Sequence, residues 1–253
     1  MFKEAKKLKD LMVWWLTALV VAACFFFFFG LTTAHLFGAS ISVPALSDKS
    51  FAVLFFKMMQ SDLLPSGVTL VATGPLSALN TEGAISLLLA LLVTFPFFLR
   101  SLAGYVFPAL YKKERRAFLF VFLPAAALFA GGVFFAYRFV IPPMLKALYA
   151  YTSNTGVTAL YSMDSFVSSA ITFMAVTGIL FLIPVFMISL TFLGIIPSIF
   201  WREKWRYALL TFLLFSAIIT PDGSGVSMML LSLPLSGLYA VGTGVASIKK
   251  INY

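Results

Sequence analysis

The sequence predicts an all-α, polytopic membrane protein, and three observations carry the prediction. Of 253 residues, 61% are hydrophobic and 11% charged, at a mean hydropathy of +1.02, more apolar surface than a water-soluble domain of this length can bury. The apolar residues fall in stretches near the roughly 20 residues that a helix needs to cross hydrocarbon. Thirteen of the eighteen Lys and Arg residues lie in four short clusters between those stretches, Lys3 to Lys9, Lys112 to Arg116, Arg202 to Arg206 and Lys249 to Lys250. Under the positive-inside bias each cluster marks the cytoplasmic side. The net charge of +9 therefore sits at span ends, against anionic headgroups, and no basic domain with interleaved aromatics exists to bind nucleic acid.

On that criterion six spans are placed at 11–34, 83–107, 117–141, 166–197, 207–220 and 226–246, with both termini cytoplasmic. The fifth is short for an untilted crossing and implies local thinning or shelter by other helices. Its hairpin with the sixth turns at Thr220-Pro221-Asp222-Gly223-Ser224-Gly225, a dense set of turn residues. External segments hold Lys49, Lys57, Arg138 and Lys146 against Asp48, Asp62, Glu82, Asp164 and Asp222, consistent with this sidedness. Arg100 and Arg138 lie within reach of opposite interfaces and are expected to snorkel. Pro184 should bend the fourth span, giving the bundle a concave side. Residues 49–60, read as a helix that continues to Ser61, place Ser50, Lys57 and Ser61 on one side and Phe51, Leu54, Phe55 and Met58 on another, the two faces of an external amphipathic helix. No internal repeat divides the chain, and 1–253 reads as one membrane domain. Lone Cys24 excludes an internal disulfide, and the phenylalanines after it argue for a retained first span over a cleaved leader.

No zinc-protease, nucleophile-elbow or nucleotide-loop motif and no cysteine-histidine cluster occurs, so no catalytic residue, metal or cofactor is expected. His35 ends the first span as an interfacial residue. No span carries the midplane carboxylate usual in cation-coupled transporters. The turn Phe107-Pro108-Ala109-Leu110-Tyr111-Lys112-Lys113-Glu114-Arg115-Arg116 stands out, one carboxylate among four cations. It can be a headgroup-contacting turn with an internal ion pair. Alternatively, Glu114 accepts a cationic peptide while its neighbours point into headgroups, their charge screened over about 8–10 Å.

Several motifs, in order, resemble the TatC family of the twin-arginine protein translocase. They are His35-Leu36 with Pro44, Leu70-Val71-Ala72-Thr73, and the Pro108-x-Leu-Tyr-x-x-Glu114-Arg115 core. Further along come Phe135-Ala136-Tyr137 with Pro142, Gly178-x-x-Phe181-x-x-Pro184, Thr220-Pro221-Asp222, and Pro234-Leu235 with Leu238-Tyr239. The resemblance runs from the first span to the C-terminus. It implies a non-enzymatic receptor for folded precursors with twin-arginine signal peptides, in the plasma membrane of a prokaryote. It also implies self-association, assembly with single-span TatA- and TatB-type partners, and transport driven by the proton-motive force. Glu114 would pair with a signal-peptide guanidinium, whose fork makes two parallel bonds that Lys cannot copy. Tyr105 and Arg115 lie in the same motif region. Glu4, with Lys6 nearby, stands where the family has a second, arginine-bearing recognition stretch; the arginines are absent here.

Two more departures concern partner docking. Leu182 stands where the family has a fourth-span glutamate, and Ala240 where it has an acidic residue in the sixth. The resemblance then implies docking by apolar packing or through polar groups such as Thr220 and Ser227. A signal peptide's apolar part would lie near Met174, Phe181 and Met187, unless these are ordinary packing residues. The rival readings are a TatC-like scaffold without transport and a small secondary transporter.

Overall fold

The computed structural model describes residues 2–36, 39–46, 50–65, 67–106, 112–154, 156, 160–220 and 225–248, with side chains described within 9–30, 50–65, 67–99, 123–154, 156, 160–220 and 225–247. In chain order these form α1 (Phe2–Phe28), β1 (Phe29–Leu36), β2 (Ala39–Leu46), α2 (Phe51–Leu63), β3 (Thr69–Val71), α3 (Ser77–Val106) and α4 (Lys112–Phe135). A π turn (Ala136–Val140), α5 (Ile141–Asn154), β4 (Leu160–Ser162), α6 (Met163–Leu180), α7 (Ile183–Phe192), α8 (Ser198–Glu203), α9 (Trp205–Ile219) and α10 (Val226–Ile248) follow. Among the described residues five helical stretches are long and apolar enough to cross a membrane, Lys9–Phe28, Ser77–Leu99, Leu123–Asn154, Met163–Phe192 and Val226–Ser247. Their outer faces, and that of the shorter apolar helix α9, carry apolar side chains that water would not tolerate in such numbers, Leu123 80% and Ile218 of α9 81% exposed among them, and that lipid accepts. The chain folds as two compact units, Met1–Tyr111 with Leu160–Ile171, and Lys112–Ala159 with Thr172–Tyr253.

In the first unit α1 packs along α3 through Trp14 against Phe97 and Trp15 against Phe98, ring centroids 6.5 and 4.7 Å apart. Such aromatic pairs contribute beyond the area they bury. The first apolar helix ends at Phe28, six residues before the predicted Ala34. Gly30 lacks a side chain to favour the helix, and Thr32 and Thr33 are β-branched, so the chain goes extended. It pairs as an antiparallel hairpin, Leu31 opposite Pro44; Pro44 has no N–H to donate, a state that a two-stranded edge tolerates.

The predicted external helix is α2, capped by Ser50, whose Oγ accepts from the Val53 amide at 3.2 Å. Its buried line is Ala52, Met59 and Leu63. Met58, expected on the apolar face, is exposed, because α2 lies against both α1 and α3, with Phe51 stacked on Phe25. Short parallel strands β3 and β4 join segments far apart in sequence, Leu70 opposite Tyr161. Thr73 and Ser162 share a hydrogen bond of 3.2 Å, and buried Thr81 donates to Asp164 at 3.3 Å. Asp164 lies in the first turn of α6, where a negative charge suits the helix dipole.

In the second unit the third apolar stretch is helical to Asn154, past the predicted end at 141. Pro142 and Pro143 cannot donate to the carbonyls four residues back. The helix absorbs this with one wide turn, the Ile141 amide donating to the Ala136 carbonyl, and the prolines then occupy the first turn of α5, where an N–H is not required. The fourth stretch breaks where Pro184 predicts a bend. The Leu182 amide reaches only to the Ile179 carbonyl at 3.0 Å, a tightened last turn, and Pro184 lies in the first turn of α7. α10, with Pro234 inside it, packs on α7 and α9 around Phe181, Met187, Phe212, Leu231 and Leu235.

Close helix crossings depend on glycine. A β-carbon on Gly178 would stand 2.9 Å from the Phe129 ring and from Val133, and one on Gly132 would stand 2.9 Å from the Gly178 backbone. One on Gly242 would meet the Pro184 backbone at 3.0 Å. Small residues let backbones approach in this way where lipid supplies no hydrophobic drive between helices. Gly178→Ala is expected to destabilise the protein in detergent by about 1–3 kcal/mol, read as a lower thermal unfolding midpoint. Gly131→Ala, with nothing within 4 Å of the added carbon, should leave the midpoint unchanged or raise it.

Candidate functional site

The residues nominated for signal-peptide recognition fall at helix ends. Glu4 and Lys6 lie in the first turns of α1, and Tyr105 lies in the last turn of α3, in the same unit. Glu114 and Arg115 lie in the first turn of α4, in the other unit. The side chains of all five lie outside the described residues, as do Pro108, Pro221 and Asp222 altogether. The Trp14–Phe97 contact sets the register of α1 on α3, with Lys6 eight residues before Trp14 and Tyr105 eight residues after Phe97. Met174, Phe181 and Met187 are buried in the second unit's own packing, so they serve the core.

The nominated docking positions are all described, and they divide by exposure. Thr220 closes α9, its hydroxyl donating to the Ser216 carbonyl at 2.8 Å. It is buried, as are Ser216 and Ser227, and the Ser216 Oγ has no hydrogen-bond partner among the described residues. These hydroxyls therefore belong to the inside of the second unit. Leu182 is half-buried at the α6–α7 break, and Ala240 is exposed on α10.

Around Ala240 the structure holds a feature that the sequence does not announce. Arg202, Trp205 and Leu209 from the α8–α9 segment face Ser236, Tyr239, Ala240 and Thr243 of α10 across a groove of about 440 Å³. A relay of hydrogen bonds fixes its walls. The Tyr239 hydroxyl donates to the Trp201 carbonyl at 2.7 Å, and the Trp201 indole donates to buried Thr191 at 3.0 Å. Trp201 and Phe212 also pack edge-on against the Tyr239 ring, at 6.5 and 5.9 Å. Three helices are thus tied at one point, α7 and α10 through Trp201 of α8. Only the clue of Leu238-Tyr239 in the motif list pointed here, and it said nothing of α8.

Tyr239→Phe removes one arm of this relay while keeping the ring. The expected loss is about 1 kcal/mol of stability, with faster amide hydrogen exchange over 198–204 than in the wild type.

The chain matches the family model described as Sec-independent protein translocase protein (TatC) over residues 5–234. It is 37% identical to the Sec-independent protein translocase protein TatC of Cenarchaeum symbiosum over 83% of this chain and 80% of that protein. With the TatC protein of Deinococcus radiodurans it shares 31% identity over 72% and 70% respectively. The fold matches two crystal structures of the twin-arginine translocase receptor TatC, with TM-scores of 0.73 and 0.75 at 24% identity, over 97% and 96% of this chain and 98% and 99% of those. A helical membrane architecture, an ordered set of short motifs and a family match across nine-tenths of the length thus agree, and the chain belongs to the TatC family of Sec-independent protein translocase proteins.

Proposed function

We propose that this protein is the core receptor component of a twin-arginine translocase in a prokaryotic plasma membrane, binding the signal peptides of folded precursors and assembling with copies of itself and with TatA- and TatB-type single-span proteins. The observation that carries the reading is the family match over residues 5–234. The chain crosses the membrane six times as one domain, both termini cytoplasmic, with α9 as the fifth crossing. At 15 residues α9 extends about 22 Å against roughly 30 Å of hydrocarbon, so the bilayer thins beside it or other helices shelter its ends.

In this topology α1 and α3 run antiparallel, and the register set by Trp14 and Phe97 brings the backbones of Lys6 and Tyr105 level on the cytoplasmic side. Glu114, opening α4 after the next cytoplasmic turn, supplies the carboxylate for a guanidinium pair, and Glu4 supplies a second. Tyr105, Arg115 and Lys6, close in sequence to these carboxylates, complete the set proposed for signal-peptide binding. A carboxylate reads Arg in preference to Lys through two parallel charge-assisted bonds. Partner helices pack on the apolar outer faces of α9 and α10 and near Leu182. With Leu182 and Ala240 in place of acidic residues, that docking relies on shape. Thr220 and Ser227 are buried and support it from inside the second unit, Thr220 by closing the end of α9.

Crosslinking of a twin-arginine signal peptide to the protein in native membranes tests the receptor role. An Arg-Arg peptide should crosslink, and either a Lys-Lys peptide or Glu114→Ala should lower the yield about tenfold or more, as expected for loss of a charge-assisted pair. Equal yields throughout would favour a TatC-like scaffold that binds partners without reading signal peptides.

A further inference from the structure

The groove beside Ala240 has two ends of different chemistry. Arg202 is the one ionised side chain among its lining residues. Its neighbours on the same exposed turn, Lys204 and Arg206, lie over the rings of Tyr207 and Trp205, at 5.3 and 5.6 Å from the ring centroids. Across 198–207 three cations face one carboxylate, Glu203, a net charge of +2. The remaining wall is Trp205, Leu209 and Ala240. The lining hydroxyls already donate within the protein, Tyr239 to Trp201, Ser236 to Ser232 and Thr243 to Tyr239, at 2.7 to 2.8 Å. An occupant therefore has to bring negative charge to one end and an apolar body to the other.

We infer that this groove binds an acidic glycerophospholipid, its phosphodiester on Arg202 and an acyl chain along Leu209 and Ala240. The guanidinium fork suits phosphate oxygens, and the uncharged Ala240 leaves the cationic end without an opposing carboxylate in the lining. Trp205 beside Arg202 is the pairing of aromatic and cation typical of headgroup depth. A free phosphate would leave the apolar wall uncovered, and a zwitterionic lipid brings no net charge. The inference does not depend on signal-peptide recognition.

The test uses the purified full chain, without peptide or partner, equilibrated with equal amounts of phosphatidylglycerol and phosphatidylcholine, washed in detergent and analysed for retained lipid by mass spectrometry. Phosphatidylglycerol should be retained in preference. Arg202→Gln, which removes the charge, and Ala240→Trp, which fills the groove, should each lower its retention about tenfold. Lys57→Gln, at an exposed position of α2, should leave retention unchanged, and excess inorganic phosphate should not displace the lipid. Equal retention of both lipids, no retained lipid, or phosphatidylglycerol retention untouched by both groove substitutions overturns the proposal and leaves the groove to a partner helix. Release by inorganic phosphate overturns it in favour of a free anion.

Discussion

Hydrocarbon contains no water to satisfy a backbone N–H or carbonyl, and that deficit governs where this chain can deviate from helix. Each deviation has a compensating contact close by. At Pro142 and Pro143 the lost bonds are absorbed by a single wide turn, and the Ile141 amide still finds the Ala136 carbonyl. At Pro184 the chain closes α6 with a tightened turn, and α10 lies directly on the proline because Gly242 has no side chain to hold it off. Where α9 ends, the Thr220 amide and hydroxyl both donate to the Ser216 carbonyl, so neither donor of that residue is left unpaired. Proline, glycine and hydroxyl residues thus sit together in the second unit for one reason, the need to break helices without leaving polar groups in lipid.

Side-chain polarity follows the same economy. The Tyr239–Trp201–Thr191 relay uses aromatic residues that offer apolar bodies to the core and single polar atoms to specific partners. It holds six-residue α8, which would have little stability alone, between α7 and α10. The groove and its cationic rim owe their shape to that support. In the first unit the corresponding task falls to Thr73, Thr81, Ser162 and Asp164, which tie β3 and the start of α3 to the segment that opens α6.

Hydropathy and charge placement made the helical stretches legible because lipid imposes both directly on composition. The short fifth stretch and the break at Pro184 were legible for the same reason, each being a local property of a few residues. The end of α1 was not, since five successive phenylalanines, Phe25 to Phe29, satisfy a hydropathy criterion whether helical or extended. The continuation through Pro142 was missed because a proline pair reads as a stop, whereas a wide turn places it in a first helical turn. Met58 and Met59 differ by one position, and only the combined pressure of α1 and α3 on α2 decides which is buried. At the candidate recognition site, Glu4 precedes the first expected span and Glu114 falls in an expected turn, whereas α1 and α4 already include both, because hydropathy marks where a helix enters lipid and not where it begins. The groove could not, because its walls lie some thirty residues apart in sequence.

The first unit is discontinuous in sequence, built from Met1–Tyr111 and Leu160–Ile171, and this bears on how the protein is made. A nascent chain that has reached α5 possesses α1, α2 and α3 yet lacks the strand that pairs with β3, the first half of α6 and the carboxylate that receives Thr81. Synthesis must pass through α4 and α5, which belong to the second unit, before the first can close. Helices threaded early into the bilayer therefore wait, side by side and incompletely joined, for a segment delivered later. That interval is when an insertase or chaperone has most to offer, and when truncation would leave a membrane-inserted but unfinished product.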